Sequence, residues 1–342
     1  MAKAQIAILG ASGYTGAELV RLIARHPEME IAALTADRKA GQAMGDVFPH
    51  LAMIDLPKLV KIDDVDWSTI DAVFCCLPHG TTQNIIAGLD MNLRVVDLSA
   101  DFRLADVEAY AHWYGLEHQA PELQDFAVYG LPEFYRDEIK NARLVANTGC
   151  YVATSLLPVM PLLEQKLIDP DAIIIDAKSG VTGAGRAPKE GTLHAEVSEG
   201  FHAYGVAKHR HTAEMDQEFS KAAGAKVICS FTPHLLPQNR GILATIYVAG
   251  EANAIHATLS ARYGSEPFVH VLPIGQVPAT RHVRGSNHCL IGVVPDRQPG
   301  RTIIVSTLDN LVKGASGQAL QCMNIVLGFE ETTGLEQLPL FP

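Results

Sequence analysis

The residues best suited to covalent chemistry lie in the stretch 143–163. Residues 144–146 form a short apolar run of strand type, and Asn147-Thr148-Gly149 is turn material. From Tyr151 the apolar residues Val152, Leu156, Val159 or Met160, and Leu163 recur at helical spacing. Pro158 and Pro161 predict a kink or a split in that helix. Cys150 therefore falls where a strand gives way to a helix, and there unpaired N–H groups and the positive end of the helix dipole favour a thiolate. A thiolate is the form that attacks acyl carbon. A lone cysteine is more often a small buried hydrophobe. The polar, glycine-preceded setting argues for a nucleophile here.

Two further groups supply what such a nucleophile needs. In His209-Arg210-His211-Thr212-Ala213-Glu214, Thr212 or a residue near it is the expected cap of a helix running toward Lys221. Two histidines two residues apart cannot share a helical face, which argues against a metal pair. Either can serve Cys150 as acid/base with Glu214 orienting it, and the residues do not choose between them. The expected strand 172–176 runs into Lys178-Ser179-Gly180-Val181-Thr182-Gly183-Ala184-Gly185-Arg186. Glycines, hydroxyls and cations so close together suit an anion, and a nest of backbone N–H groups closed by Arg186 suits a phosphate. The run lacks the Gly-Lys-Ser/Thr ending of a nucleoside triphosphate loop. Arg281 and Arg284 are candidate partners for a substrate carboxylate.

These residues need a scaffold, and the rest of the chain reads as one. Strand 5–9 leads into Gly10-Ala11-Ser12-Gly13-Tyr14-Thr15-Gly16, a helix at 17–25 and a strand at 31–35. That order is a strand–glycine loop–helix–strand unit that brings backbone amides to a pyrophosphate. After the second strand, Asp37 would suit a ribose hydroxyl, but Arg38 and Lys39 suit a 2′-phosphate and favour NADP(H) over NAD. Strands at 71–76 and 94–98 end at Pro78-His79 and at Arg103, with a helix at 82–88 between them, and strand ends of an open parallel sheet are where ligands bind. Residues 104–135 read as loop and short helix. The second half alternates strand-like runs at 226–232, 241–249, 268–272, 289–294 and 302–308 with one clear helix at 254–263, which predicts a mixed or antiparallel α+β sheet. A Ser/Gly-rich stretch then opens a terminal helix at about 318–328, expected to return to the first domain.

Composition bounds the function. A chain of 342 residues with 48% hydrophobic and 19% charged residues is globular, and a net charge of −11 argues against a general nucleic-acid or anionic-membrane surface. No apolar run approaches the length of a membrane helix, no signal sequence is seen, and six cysteines without metal-ligand spacing point to reduced thiols in the cytoplasm.

The glycine run 10–16, Leu98-Ser-Ala-Asp-Phe-Arg103, Asn147-Thr-Gly-Cys-Tyr151, the 178–186 loop, His209-Arg-His211 and Asn239-Arg-Gly241 together resemble the N-acetyl-gamma-glutamyl-phosphate reductases of arginine biosynthesis. Thr148 stands where proline is common in that family. The resemblance implies an α/β fold of the semialdehyde dehydrogenase type. Its parts would be a Rossmann domain over residues 1–149, an α+β substrate and dimerisation domain over 150–310, and a C-terminal helix over 311–342. It implies NADPH-dependent reduction of an acyl phosphate through a Cys150 thioester, with His209 or His211 as acid/base. Gly10, Ser12, Gly13, Tyr14, Thr15, Gly16, Arg38, Lys39, Pro78, Ser179 and Gly180 would serve the cofactor. Arg103, Asn147, Lys178, Gly183, Arg186 and Arg284 would serve the substrate. The expected partners are a small-molecule substrate and further copies of the chain, as a homodimer or homotetramer, with no metal, nucleic acid or membrane.

Overall fold

The apolar runs of the first half become seven short strands: β1 (Ala4–Leu9), β2 (Met29–Thr35), β3 (Leu59–Val60), β4 (Ala72–Cys75), β5 (Arg94–Asp97), β6 (Ala127–Gly130) and β7 (Leu144–Asn147). In this computed structural model, which describes residues 2–342, they form one parallel sheet in the order β3-β2-β1-β4-β5-β7-β6. The inner strands β4 (Ala-Val-Phe-Cys) and β7 (Leu-Val-Ala-Asn) are buried at every residue and almost wholly apolar, as expected of strands covered on both faces. The chain order reverses beside β1, between β2 and β4, and at such a switch point a crevice opens past the strand ends. Helix Tyr14–Ile23 starts there, three residues before the expected Ala17. β6 was not expected within the loop-like stretch 104–135. It is a four-residue edge strand with only its last two residues buried, which leaves a weak pattern.

The second half builds β8 (Ile174–Gly180), β9 (His202–Ala203), β10 (Ser230–Leu236), β11 (Ile242–Ala249), β12 (Val269–Val271), β13 (Cys289–Pro295) and β14 (Arg301–Leu308). They pair in the order β12-β13-β14-β11-β8-β10-β9, parallel at β8/β10 and β12/β13 and antiparallel elsewhere. The mixed sheet is the one expected. Strict alternation of buried and half-buried residues along β11 shows that one face is fully covered, and helix Cys150–Glu164 lies against β11 and β14 on that side.

That helix runs through both prolines without the split that was one of the two expected outcomes. A helical proline leaves the carbonyl four residues back without its N–H partner. For Pro161 that carbonyl is Leu157 O, and the Tyr263 hydroxyl from helix Ala252–Tyr263 donates to it. Nearer the N-terminus, Thr154 Oγ1 and Ser155 Oγ donate to Cys150 O and Tyr151 O, both at 2.8 Å. The Tyr263 side chain thus replaces the donor lost at Pro161.

The chain divides into two units. One holds the residues up to Thr148 together with Ala315–Glu336; the other holds Gly149–Gly314 and Gln337–Pro342. The crossings between these units fall at 148/149 and 314/315, and the last six residues go with the second unit. The terminal helix, Gly317–Leu327, packs within the first unit on helix Pro132–Asn141 and on β5, with Asn324 Oδ1 at 3.1 Å from His26 Nε2. Among the described residues no helix is long and apolar enough to cross a membrane.

Candidate active site

Cys150 is the first residue of helix Cys150–Glu164, directly after the buried β7 and the turn Thr148-Gly149. Gly149 is the N-cap, in extended conformation, so no side chain caps the helix, and its first turn holds no acidic residue. The helix contributes no acidic side chain of its own to that end of the dipole, a setting that favours a thiolate.

Helix His211–Ala223 sets the acid/base candidates against this turn. Its buried Glu214 accepts the Gly149 N–H with Oε1 at 3.0 Å, docking the helix start on the residue before the cysteine. The His211 ring lies so close that a Cβ on Gly149 would sit 2.5 Å from Nε2. Gly314 closes the other side, where a Cβ would come 2.8 Å from the Cys150 Cβ. Both glycines make room for functional side chains.

His209 has a different task. Its Nδ1 accepts the His211 N–H at 3.1 Å, so it, and not Thr212, does the capping at this end, while Thr212 Oγ1 is buried without a partner. The His209 ring packs edge-on against Tyr151, Tyr204 and Phe231. Burial, aided by the Arg210 charge, pulls its pKa down to about 4, so it is neutral near pH 7. The Tyr204 hydroxyl donates to Tyr151 Oη at 3.2 Å, and burial pushes Tyr204 up to about 12, with the charge of Cys150 adding to the rise.

In the first unit, the loop of Gly10, Ser12, Gly13, Tyr14, Thr15 and Gly16 joins β1 to helix Tyr14–Ile23. Gly10 has φ +78°, and a Cβ there would lie 2.6 Å from the Cys76 carbonyl, so only glycine fits. The loop is braced by Thr35, whose hydroxyl accepts from Gly10 N–H at 3.2 Å and whose carbonyl accepts from Ala11 N–H at 2.9 Å. Gly13 caps the helix without a side chain, and the first turn has no acid. A helix start left to its own amides fits a dinucleotide pyrophosphate. Arg38 and Lys39 are exposed just past the end of β2, and Pro78 follows β4.

The 178–186 segment is organised differently from the expectation. β8 continues through Gly180 instead of ending at Asp176, so strand alternation places Lys178 and Ser179 on opposite faces. Ser179 is buried, with its hydroxyl donating to Gly180 O at 3.0 Å. Lys178 pairs with Asp176 at 2.9 Å, on the face opposite Ser179. Beyond Gly180 the loop is pinned by Val181 N–H to Gln238 O at 2.8 Å and by Asn310 Nδ2 to Thr182 Oγ1 at 2.9 Å, leaving Gly183 and Arg186 exposed.

Arg103 and Arg284 both bond backbone carbonyls of the protein. Arg103 is buried, and its guanidinium donates to Asn147 O at 2.7 Å and Leu98 O at 2.9 Å, tying the end of β5 to that of β7. Arg284 donates to the terminal Pro342 O. Asn147 closes β7, with Nδ2 donating to Ala315 O at 3.1 Å and Oδ1 buried without a partner. Sequence reasoning read Gly314 only as part of the Ser/Gly-rich stretch before the terminal helix and did not place it beside Cys150. Its only signal was the glycine and small-residue content of 313–317.

The fold and the placement of the cysteine define the class. Residues 5–142 match the family model described as "Semialdehyde dehydrogenase, NAD binding domain", and residues 150–310 match "Semialdehyde dehydrogenase, dimerisation domain". Solved aspartate semialdehyde dehydrogenases share this architecture at low identity. The Vibrio cholerae enzyme II has a TM-score of 0.71 over 96% of this chain and 99% of its own, at 15% identity. The Candida albicans enzyme, solved with NADP, has a TM-score of 0.70 over 95% and 99%, at 17% identity. Proteins named N-acetyl-gamma-glutamyl-phosphate reductase are far more similar in sequence: that of Afipia carboxidovorans is 62% identical over 98% of both chains, and that of Ruegeria pomeroyi 61% over 99% of both. The chain belongs to the N-acetyl-gamma-glutamyl-phosphate reductase family.

Proposed function

We propose that this protein reduces N-acetyl-gamma-glutamyl phosphate with NADPH, releasing N-acetylglutamate semialdehyde and phosphate in arginine biosynthesis. The observation that carries the reading is the His211 ring seated on Gly149, beside a cysteine that opens an uncapped helix. The Cys150 thiolate attacks the acyl carbon, the C–S bond forms, and the C–O bond to phosphorus breaks. A thioester is needed because its carbon is electrophilic, whereas a carboxylate resists hydride. Bound NADPH supplies the hydride. His211 protonates the oxygen of the Cys150 thiohemiacetal or assists its collapse to aldehyde and thiolate. His209, neutral and spent on the His211 N–H, positions that ring.

The glycine loop carries the pyrophosphate, with Ser12, Tyr14 and Thr15 at the helix start, and Arg38 and Lys39 take the 2′-phosphate. Phosphate leaves toward Gly183 and Arg186. A homo-oligomer built through the matched dimerisation domain is supported by the half-buried residues on the outer face of the second sheet, Leu243 and Tyr247 among them. A thiol nucleophile suits the reducing cytoplasm.

The test runs the reaction backward, following NADPH formation from N-acetylglutamate semialdehyde and phosphate, with aspartate semialdehyde in parallel. Wild type is expected to turn over the acetylated aldehyde and Cys150→Ala to lose activity. Turnover of aspartate semialdehyde alone would overturn the substrate, and an active Cys150→Ala would overturn the nucleophile.

A further inference from the structure

Where the chain re-enters the first unit, residues 315–318 make three hydrogen bonds within four residues. Ala315 O accepts from Asn147 Nδ2 at 3.1 Å, Ser316 Oγ donates to Thr15 O at 2.9 Å, and Gln318 Nε2 donates to Thr148 Oγ1. Thr15 belongs to the glycine loop. Asn147 and Thr148 form the turn that leads to Cys150. The side chains of Asn147, Thr148, Ser316 and Gln318 are all buried, so water does not substitute for a bond that is lost. The segment emerges from a π-helical turn, Val312–Ser316, a geometry that recurs at functional sites. At position 148 the hydroxyl used here would be missing from the proline common in the family.

We propose that Thr148 and Ser316 are positioning residues that couple the dinucleotide loop to the nucleophile's turn, so that cofactor binding changes the reactivity of Cys150. A pyrophosphate held on the loop amides fixes the Thr15 carbonyl, and Ser316 passes that constraint to residues 315–318. Their bonds to Asn147 and Thr148 then set the torsions of the peptide entering Cys150. The proposal rests on the reading of Cys150 as nucleophile.

The test measures the rate of Cys150 alkylation by iodoacetamide, read by peptide mass, with and without saturating NADP. It uses full-length wild type, Thr148→Val, Thr148→Ser, Ser316→Ala and the Val/Ala double variant, with melting temperatures alongside. In wild type NADP is expected to change the rate by about fivefold or more, in the range of ordinary site-to-site coupling. Thr148→Val and Ser316→Ala should each abolish most of that response, the double variant should lose no more, and Thr148→Ser should keep it. A merely structural role would lower the melting temperatures and leave the response intact, which would overturn the proposal, as would a wild type that does not respond. If Thr148→Val does not fold, Ser316→Ala decides the matter alone. The two readings fail differently: alkylation of Cys150 that spared activity would sink the nucleophile, whereas inactivation with an unaltered response in the variants would sink only the coupling.

Discussion

Gly149→Ala should separate the position of His211 from the stability of the fold. Gly149 has φ −71° and ψ 147°, a conformation alanine adopts without strain, so the backbone has no reason to move. The added Cβ, however, would lie 2.5 Å from His211 Nε2, about 0.9 Å inside the 3.4 Å at which ordinary contact begins. Nε2 is at the tip of a side chain, so the ring swings away while Glu214 keeps the Gly149 N–H. A displacement near 1 Å of an acid/base group costs about 100-fold in rate, or about 2.7 kcal/mol of barrier. Alanine is a poorer N-cap than glycine by about 0.5–1 kcal/mol, which lowers the melting temperature by only a few degrees. The assay is kcat in the reverse reaction for Gly149→Ala, His211→Ala and the double variant. We expect Gly149→Ala to lose about two orders of magnitude, and the double variant to be no worse than His211→Ala. Losses that add, or a Gly149→Ala rate within about threefold of wild type, would refute a role for His211 at this position.

Two further predictions concern the elements that hold the site. Tyr263→Phe leaves the Leu157 carbonyl, already deprived of a donor by Pro161, buried and unpaired, and should cost about 1–3 kcal/mol in denaturant unfolding. In a Pro161→Ala background that cost should shrink, because the restored N–H takes over the carbonyl; an equal cost in both backgrounds would refute the account. His209 has a folded pKa of about 4 against 6.5 for a free imidazole, so the unfolded chain binds more protons between those values. Its contribution is complete above pH 6.5 and is lost as pH falls toward 4, at most about 2 kcal/mol by pH 5. His209→Asn should lose correspondingly less stability than wild type between pH 7 and 5, as read by urea unfolding; parallel curves would show that His209 is not the group responsible.

The fold was legible because its strands are hydrophobic runs with a period set by local stereochemistry. A parallel sheet buried on both faces writes continuous Val/Ile/Leu runs, and a glycine loop between the first strand and helix marks its own turn. What was not legible was length and compensation. β8 reads as ending at Asp176, where the apolar residues stop, yet backbone pairing with β10 and β11 carries it to Gly180. Those extra residues make Lys178 part of the strand, on the face opposite Ser179 and paired with Asp176. The prolines of helix Cys150–Glu164 mislead for the opposite reason. Proline is a strong local signal, and it is overridden by a hydroxyl from Tyr263, 102 positions beyond Pro161 in the chain.

The candidate site shows the same limit in its charges. Arg103 looks like an anion ligand because it follows a strand end of the parallel sheet, and Arg284 because it lies in a basic stretch. Sequence does not record that backbone carbonyls compete for the same donors, and Arg103 spends its own on Leu98 and Asn147. The histidine pair is the clearest case. Two residues apart in the chain, His209 and His211 carry the same chemistry, and no periodicity distinguishes them. What distinguishes them is one hydrogen bond, His211 N–H to His209 Nδ1, which takes up a ring nitrogen of the first and turns the second toward Gly149. Once a helix start needs an acceptor, the histidine two residues back is committed to supplying it. The neighbour that begins the helix is then the one whose ring reaches the turn of Cys150.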